Sequence, residues 1–179
     1  MRTPFGWGKL SGMTARTLVL LRHAKADRPT GIADTDRPLT DRGHADAAAA
    51  GAWLLASGHV PDLVLCSPAR RTRQTWHSVA IALGGAGAPK VQYERELYDG
   101  EVADALDLIA TAAKEPGNHT ILLIGHNPTI SQLSAVLDQA GQADSDGLRT
   151  SGIAVHELPE EWRAGVTAPL KGTHTARAD

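Results

Sequence analysis

Three short stretches carry residue types suited to phosphorus chemistry. Arg22-His23 follows the apolar run Thr17 to Leu21, Ser67 and the guanidiniums of Arg70, Arg71 and Arg73 follow the run Asp62 to Cys66, and His126 follows Thr120 to Ile124 in Gly125-His126-Asn127-Pro128. A neutral imidazole is a nucleophile, and a guanidinium forks two phosphate oxygens at once. Fixed cations also stabilise charge on a phosphoryl group in transfer. The working assignment makes His23 a nucleophile toward phosphorus and Arg22 a holder of phosphoryl oxygens. Metal binding is the competing use of paired histidines. A zinc site wants three or four His, Cys or carboxylate ligands, whereas here each histidine is accompanied by arginines that would repel a cation.

These groups converge only if the intervening elements place them together. Each of the three apolar runs reads as a buried strand, and each is followed by a helical pattern. Before the first helix lies a loop, Ala26 to Thr40, whose Pro29, Gly31 and Pro38 forbid a regular element. That helix is expected from His44 to about Ser57, with Thr40 or Asp41 as N-cap and Gly58 as the C′ residue. Ser67-Pro68 reads as N-cap and first residue of the second helix, which runs to Gly84-Gly85. Val91 to Glu94 is a weaker strand, and Val102 to Lys114 an amphipathic helix. A further helix runs from the Gly-His-Asn-Pro turn to about Ala140, and Ile153 to Leu158 alternates as a half-buried last strand. No periodicity is legible beyond about Trp162. Strands alternating with helices predict a three-layer α/β/α sandwich on a mostly parallel sheet. The C-terminal ends of parallel strands then share one sheet edge, where open α/β sheets bind ligands.

Composition narrows the class. The chain has 179 residues, 42% hydrophobic and 21% charged, with a formal net charge of −2, which excludes a globally basic nucleic-acid surface. The expected organisation is an N-terminal extension over 1–15, a domain over 16–162 and a tail over 163–179. The single cysteine, Cys66, cannot form an intramolecular disulfide and lies in an apolar run, so it reads as a buried thiol. No apolar run approaches the roughly 20 residues of a membrane span. The first sixteen residues lack the apolar core of a signal peptide, and Met13 marks an alternative start. A cytoplasmic protein is expected, without a membrane or nucleic-acid partner.

Leu21-Arg22-His23, Ser67-Pro68-x-x-Arg71-x-x-Gln74-Thr75 and Gly125-His126-Asn127-Pro128, in that order, resemble the motifs of the histidine phosphatase (phosphoglycerate mutase-like) superfamily. Arg22-His23-Ala24-Lys25, with Asp36-Arg37-Pro38-Leu39-Thr40 after it, is most similar to the small SixA-type phosphohistidine phosphatases. The resemblance spans about Thr17 to Leu158. It implies that His23 is the residue that becomes phosphorylated and that Arg22, Arg71 and His126 complete the phosphate pocket. Arg37 is implied either as a further phosphate contact or as a structural part of the loop. Ser67 and Asn127 are candidate substrate contacts, and Asn127 also shapes the turn that aims His126. Neither cofactor nor metal is implied, because arginines take the place of Mg²⁺.

Family members acting on phosphate esters place an acid after the third strand to protonate the leaving alkoxide. Here that segment is Glu94 to Gly100, where Glu96 and Asp99 are candidates and surface charge is the alternative. An imidazole leaving a P–N bond needs such an acid less. Three readings follow: a protein phosphohistidine phosphatase, a phosphatase of small phosphate esters, and a phosphate-binding module without turnover. The partner is accordingly a phosphorylated protein or a small phosphorylated molecule.

Overall fold

The computed structural model describes residues 15–179, so nearly all of the extension expected over 1–15 lies outside the described residues. Six strands form one sheet in the order β3-β2-β4-β1-β5-β6. They are β1 (Arg16–Arg22), β2 (Leu63–Cys66), β3 (Lys90–Tyr93), β4 (Thr120–Gly125), β5 (Gly152–Leu158) and β6 (Leu170–Thr175). The helices are α1 (Asp41–Ala56), α2 (Arg70–Leu83), α3 (Glu96–Asp99), α4 (Val102–Ala113) and α5 (Thr129–Leu137).

Strands β3, β2, β4 and β1 are mutually parallel, while β5 runs antiparallel to β1 and β6 antiparallel to β5. The continuous apolar runs have a simple cause: both sheet faces are covered. Leu18 and Leu20 face a core with Ile109 of α4 and Leu133 of α5. Val19 and Leu21, one residue out of phase, face a second core with Leu54 of α1 and Val79 of α2. Burial of side chains such as Leu20, fully enclosed, makes truncation to Ala cost about 2–5 kcal/mol. Helices α1 and α2 pack closely because Gly51 has no Cβ; one built there would lie 2.6 Å from the Val79 carbonyl oxygen.

Three expectations are corrected. Helix α2 starts at Arg70 rather than at Pro68, with Ala69 as its N-cap, while the Ser67 hydroxyl lies 2.7 Å from His126 Nε2 and accepts from the Ala69 amide at 3.4 Å. Strand β5 is internal rather than half-exposed, since β6 pairs along its outer side. The segment 163–179 is no loose tail: it contains β6, and Ala168 and Ala176 are fully buried. The weak pattern of β3 has its explanation in its place at the sheet edge.

Candidate active site

The register of the parallel strands brings the three motifs to one sheet edge. Arg22 pairs with Gly125 and Cys66 with Ile124, so β1, β2 and β4 end side by side. The residues that follow, His23, Ser67 and His126, therefore meet. The rings of His23 and His126 lie 5.2 Å apart, centre to centre. They border a cavity of about 340 Å³ lined also by Arg22, Arg37, Arg71 and Asn127.

The backbone carrying His23 is held from three directions. The amide of Ala24 donates to Thr75 Oγ1 at 3.1 Å, and that of Leu39 to Gln74 Oε1 at 2.8 Å. The amide of Thr40 donates to the Lys25 carbonyl at 2.9 Å. Gly43, in the first turn of α1, must lack a Cβ because it would collide with that carbonyl. Gln74, Thr75 and Thr40 thus act on the loop that carries the histidine. On the third side the Ser151 amide bonds the carbonyls of Arg22 and His23 at 3.2 Å each, with Ser151 in the left-handed region at φ 57°. A non-glycine residue held there costs of order 1 kcal/mol or more and persists only where its surroundings enforce it.

His23 Nδ1 lies 2.7 Å from the Ala24 carbonyl oxygen. A carbonyl only accepts, so Nδ1 carries the proton and Nε2 keeps its lone pair. Burial pushes the pKa of His23 down to about 4, and the guanidiniums of Arg71, Arg22 and Arg37 push it the same way against the Ala24 hydrogen bond. At neutral pH the ring is an uncharged base. His126 is lowered to about 3 by burial, His23 and Arg71. Its Nε2 is 2.7 Å from Ser67 Oγ, and its Nδ1 is buried without a partner. The Nε atoms of Arg22 and Arg71 are likewise buried and unpartnered.

Each remaining residue has a definable placement. Arg22 Nη1 donates to the Leu148 carbonyl at 2.9 Å, which also accepts from Asn127 Nδ2 at 2.9 Å. Asn127 Oδ1 accepts from the Ser131 hydroxyl, so both ends of that amide orient the turn, although the residue lines the cavity. Ser67 is fully buried, lies outside the cavity lining and braces His126, in place of the substrate contact expected of it. Arg37 lines the cavity, with Nε on the Asp27 carbonyl and Nη1 on Asp34 Oδ1.

Glu96 and Asp99, the candidate acids, are corrected by position. Both are exposed on α3 and outside the cavity lining, and Asp99 is paired with Arg95 at 2.8 Å. The carboxylate that does line the cavity is Asp34, which the motifs did not single out. Its Oδ2 accepts from Arg71 Nη2 at 3.1 Å and from the Tyr98 hydroxyl at 2.9 Å. Hydrogen bonds from Arg37, Tyr98 and Arg71 lower its pKa to about 2, so it stays ionised. Tyr98, between the two expected acids, also sets its ring edge on His126 at 5.7 Å. Among the described residues no group of three or more His, Cys, Asp or Glu is placed to hold a metal ion.

Two neutral imidazoles among buried guanidinium donors can bind a phosphoryl group and present one ring nitrogen to phosphorus. Comparison with known proteins agrees. Residues 18–102 match the family described as histidine phosphatase superfamily (branch 1). A SixA from Nakamurella multipartitia, assigned as a phosphohistidine phosphatase, is 36% identical, superposes with a TM-score of 0.72 and aligns over 90% of this chain and 96% of its own.

The chain belongs to the histidine phosphatase superfamily.

It is a phosphatase of the SixA type. The SixA of Agrobacterium tumefaciens, given the same assignment, is 29% identical with a TM-score of 0.74, over 89% of this chain and 97% of its own. An uncharacterised protein of Mycobacterium tuberculosis is 39% identical over 88% of this chain and 100% of its own length. The sandwich expected for the superfamily is the fold observed. No helix among the described residues is long and apolar enough to cross a membrane.

Proposed function

We propose that this histidine phosphatase hydrolyses phosphohistidine on a protein, with His23 Nε2 as nucleophile. The lone pair of Nε2 attacks phosphorus in line, and the P–N bond to the substrate imidazole, protonated on its other ring nitrogen, breaks with its electron pair on the departing nitrogen, so that neutral imidazole leaves. Water then attacks the phosphorus on His23, returning the ring and releasing phosphate. Arg22, Arg71 and Arg37 hold the phosphoryl oxygens. With the Ser67 hydroxyl donating to His126 Nε2, the single N–H of that neutral ring is on Nδ1 and serves as a further donor to the phosphoryl group.

The observation carrying the choice of substrate is the state of Asp34. It is the one carboxylate in the cavity lining among the described residues, and Arg37, Tyr98 and Arg71 keep it ionised, with a pKa of about 2. It cannot protonate a leaving alkoxide at neutral pH. A departing imidazole is a better leaving group and needs no such acid. The relatives assigned as phosphohistidine phosphatases support the same reading.

The test is turnover of a phosphohistidine protein against p-nitrophenyl phosphate, wild type beside His23→Ala. The expected result is higher kcat/KM on the P–N substrate, and loss of turnover by about a thousandfold or more in the variant. A preference for the ester would transfer the enzyme to small phosphate esters. Undiminished turnover in His23→Ala would overturn the mechanism.

A further inference from the structure

Beside the catalytic cavity lies a second one of about 560 Å³, lined by Lys25, Thr40, Arg42, Asp46, Thr150 and Arg177. Lys25 and Thr150 line both. The second cavity holds three cations and one carboxylate, and that carboxylate is internally consumed. Asp46 is buried and accepts from Arg42 Nε at 2.9 Å and from the Ala178 amide at 2.9 Å, with Arg177 Nη1 at 3.6 Å. Lys25 is exposed and makes no ion pair among the described residues. Within that lining the cations thus outnumber the carboxylates by two, on a chain whose formal net charge is −2.

The two guanidiniums are also set in place beforehand. Arg42 Nη2 donates to the Ala178 carbonyl at 3.0 Å, and Arg177 Nη1 to the carbonyls of Thr150 and Ala176 at 2.8 Å each. Their side chains remain about half exposed, at 57% and 40%. Fixing long cationic side chains against backbone before a ligand arrives removes much of the ordering cost of binding. The Lys25 carbonyl is held by Thr40, so the backbone that carries the third cation is fixed at the border between the cavities.

We infer that this second cavity is a subsite for an acidic side chain, Asp or Glu, flanking the phosphorylated residue of a protein substrate. The inference rests on the proposed phosphohistidine protein substrate and adds what that protein must display. A phosphorylated side chain occupies the catalytic cavity. The larger basic cavity beside it then receives a carboxylate on the same chain, with Lys25 between the two anions. Opposite charge at such a rim speeds encounter and selects partners, and salt weakens it.

The experiment uses the full chain and two histidine-phosphorylated peptides, identical except that the positions flanking the phosphohistidine are Glu in one and Gln in the other. The wild type is expected to turn over the Glu peptide with kcat/KM about tenfold higher at about 50 mM salt, the gap narrowing at about 300 mM. In Arg42→Gln/Arg177→Gln the ratio falls to about one. Arg42→Gln alone, which leaves Asp46 its Ala178 partner, lowers the ratio partway if the double variant does not fold. Equal kcat/KM for the two peptides in wild type overturns the subsite and leaves the phosphohistidine reading standing. No turnover of either peptide while p-nitrophenyl phosphate is consumed overturns both. A preference for a small bisphosphorylated molecule over both peptides assigns the basic cavity to a second phosphate and overturns the acidic-peptide assignment.

Discussion

Two buried histidine environments in this fold differ in one respect that matters. His156, fully buried in β5, has both ring nitrogens engaged: Nδ1 donates to the Ala168 carbonyl at 2.8 Å, and Nε2 accepts from the Ser134 hydroxyl at 2.8 Å. Burial lowers its pKa, as it does for His23. At the sheet edge, however, His23 has only Nδ1 engaged, and its Nε2 belongs to a ring bordering a cavity lined by guanidiniums. A depressed pKa is therefore no mark of catalysis by itself. What distinguishes the site is an unengaged nitrogen beside fixed cations. His156 ties α5 to the segment before β6, and His23 is free to react.

Replacing the cations gives the largest break in this contrast. Arg71→Lys keeps a charge but loses the planar fork and the two bonds to Asp34. Turnover of phosphohistidine substrate is expected to fall by about a hundredfold. A loss under about threefold, measured as kcat/KM on refolding-competent protein, would show that Arg71 is structural.

His156→Leu should do the opposite. It removes two internal hydrogen bonds and leaves Ser134 and the Ala168 carbonyl without partners, at a cost of about 1–3 kcal/mol in thermal or denaturant unfolding. The kcat/KM of the folded fraction should stay unchanged. The sign of the pH dependence sharpens this. His23, His126 and His156 all have folded pKa values below the ordinary value near 6.5, so the unfolded chain takes up protons that the folded one refuses. Stability should therefore decline as pH falls below about 6.5. His156→Leu removes one part of that slope and leaves the part from His23 and His126.

How much of this was legible in the sequence depended on whether a signal was local. The apolar runs of β1, β2 and β4 and the residues at their ends lie within a few positions of one another, so Arg22, His23 and His126 could be read directly, whereas Arg71 was separated from Arg70 and Arg73 only by its spacing from Ser67 in the motif the chain resembles. Asp34 could not. It sits in a loop with Asp27 and Asp36, chemically equivalent on paper, and only the fold carries it to Arg71, 37 positions away. The Leu148 carbonyl and the Ser151 amide are backbone groups, so no residue type announces them. Strand β6 is exposed along most of its length and lies at the sheet edge, which leaves little apolar alternation to detect. Ser67 was legible as a position but not as a partner, since its bond to His126 joins residues 59 positions apart.

Asp34 supplies the smallest expected effect. Its carboxylate offsets the positive charge of Arg37 and Arg71 in the cavity. Asp34→Asn should tighten competitive inhibition by inorganic phosphate, with an inhibition constant several-fold lower at low salt. Weaker inhibition would mean that Asp34 mainly holds Arg71 in place.

In the proposed mechanism Nε2 of His23, left free because Nδ1 bonds the Ala24 carbonyl, is the atom that takes the phosphoryl group. Trapping the phosphoenzyme by rapid alkaline quench and locating the phosphorus by ³¹P NMR and peptide mapping tests it directly. The expected result is an acid-labile, alkali-stable phosphate on Nε2 of His23. Phosphate on Nδ1 of that ring or on His126, or turnover without any phosphoenzyme, would contradict it.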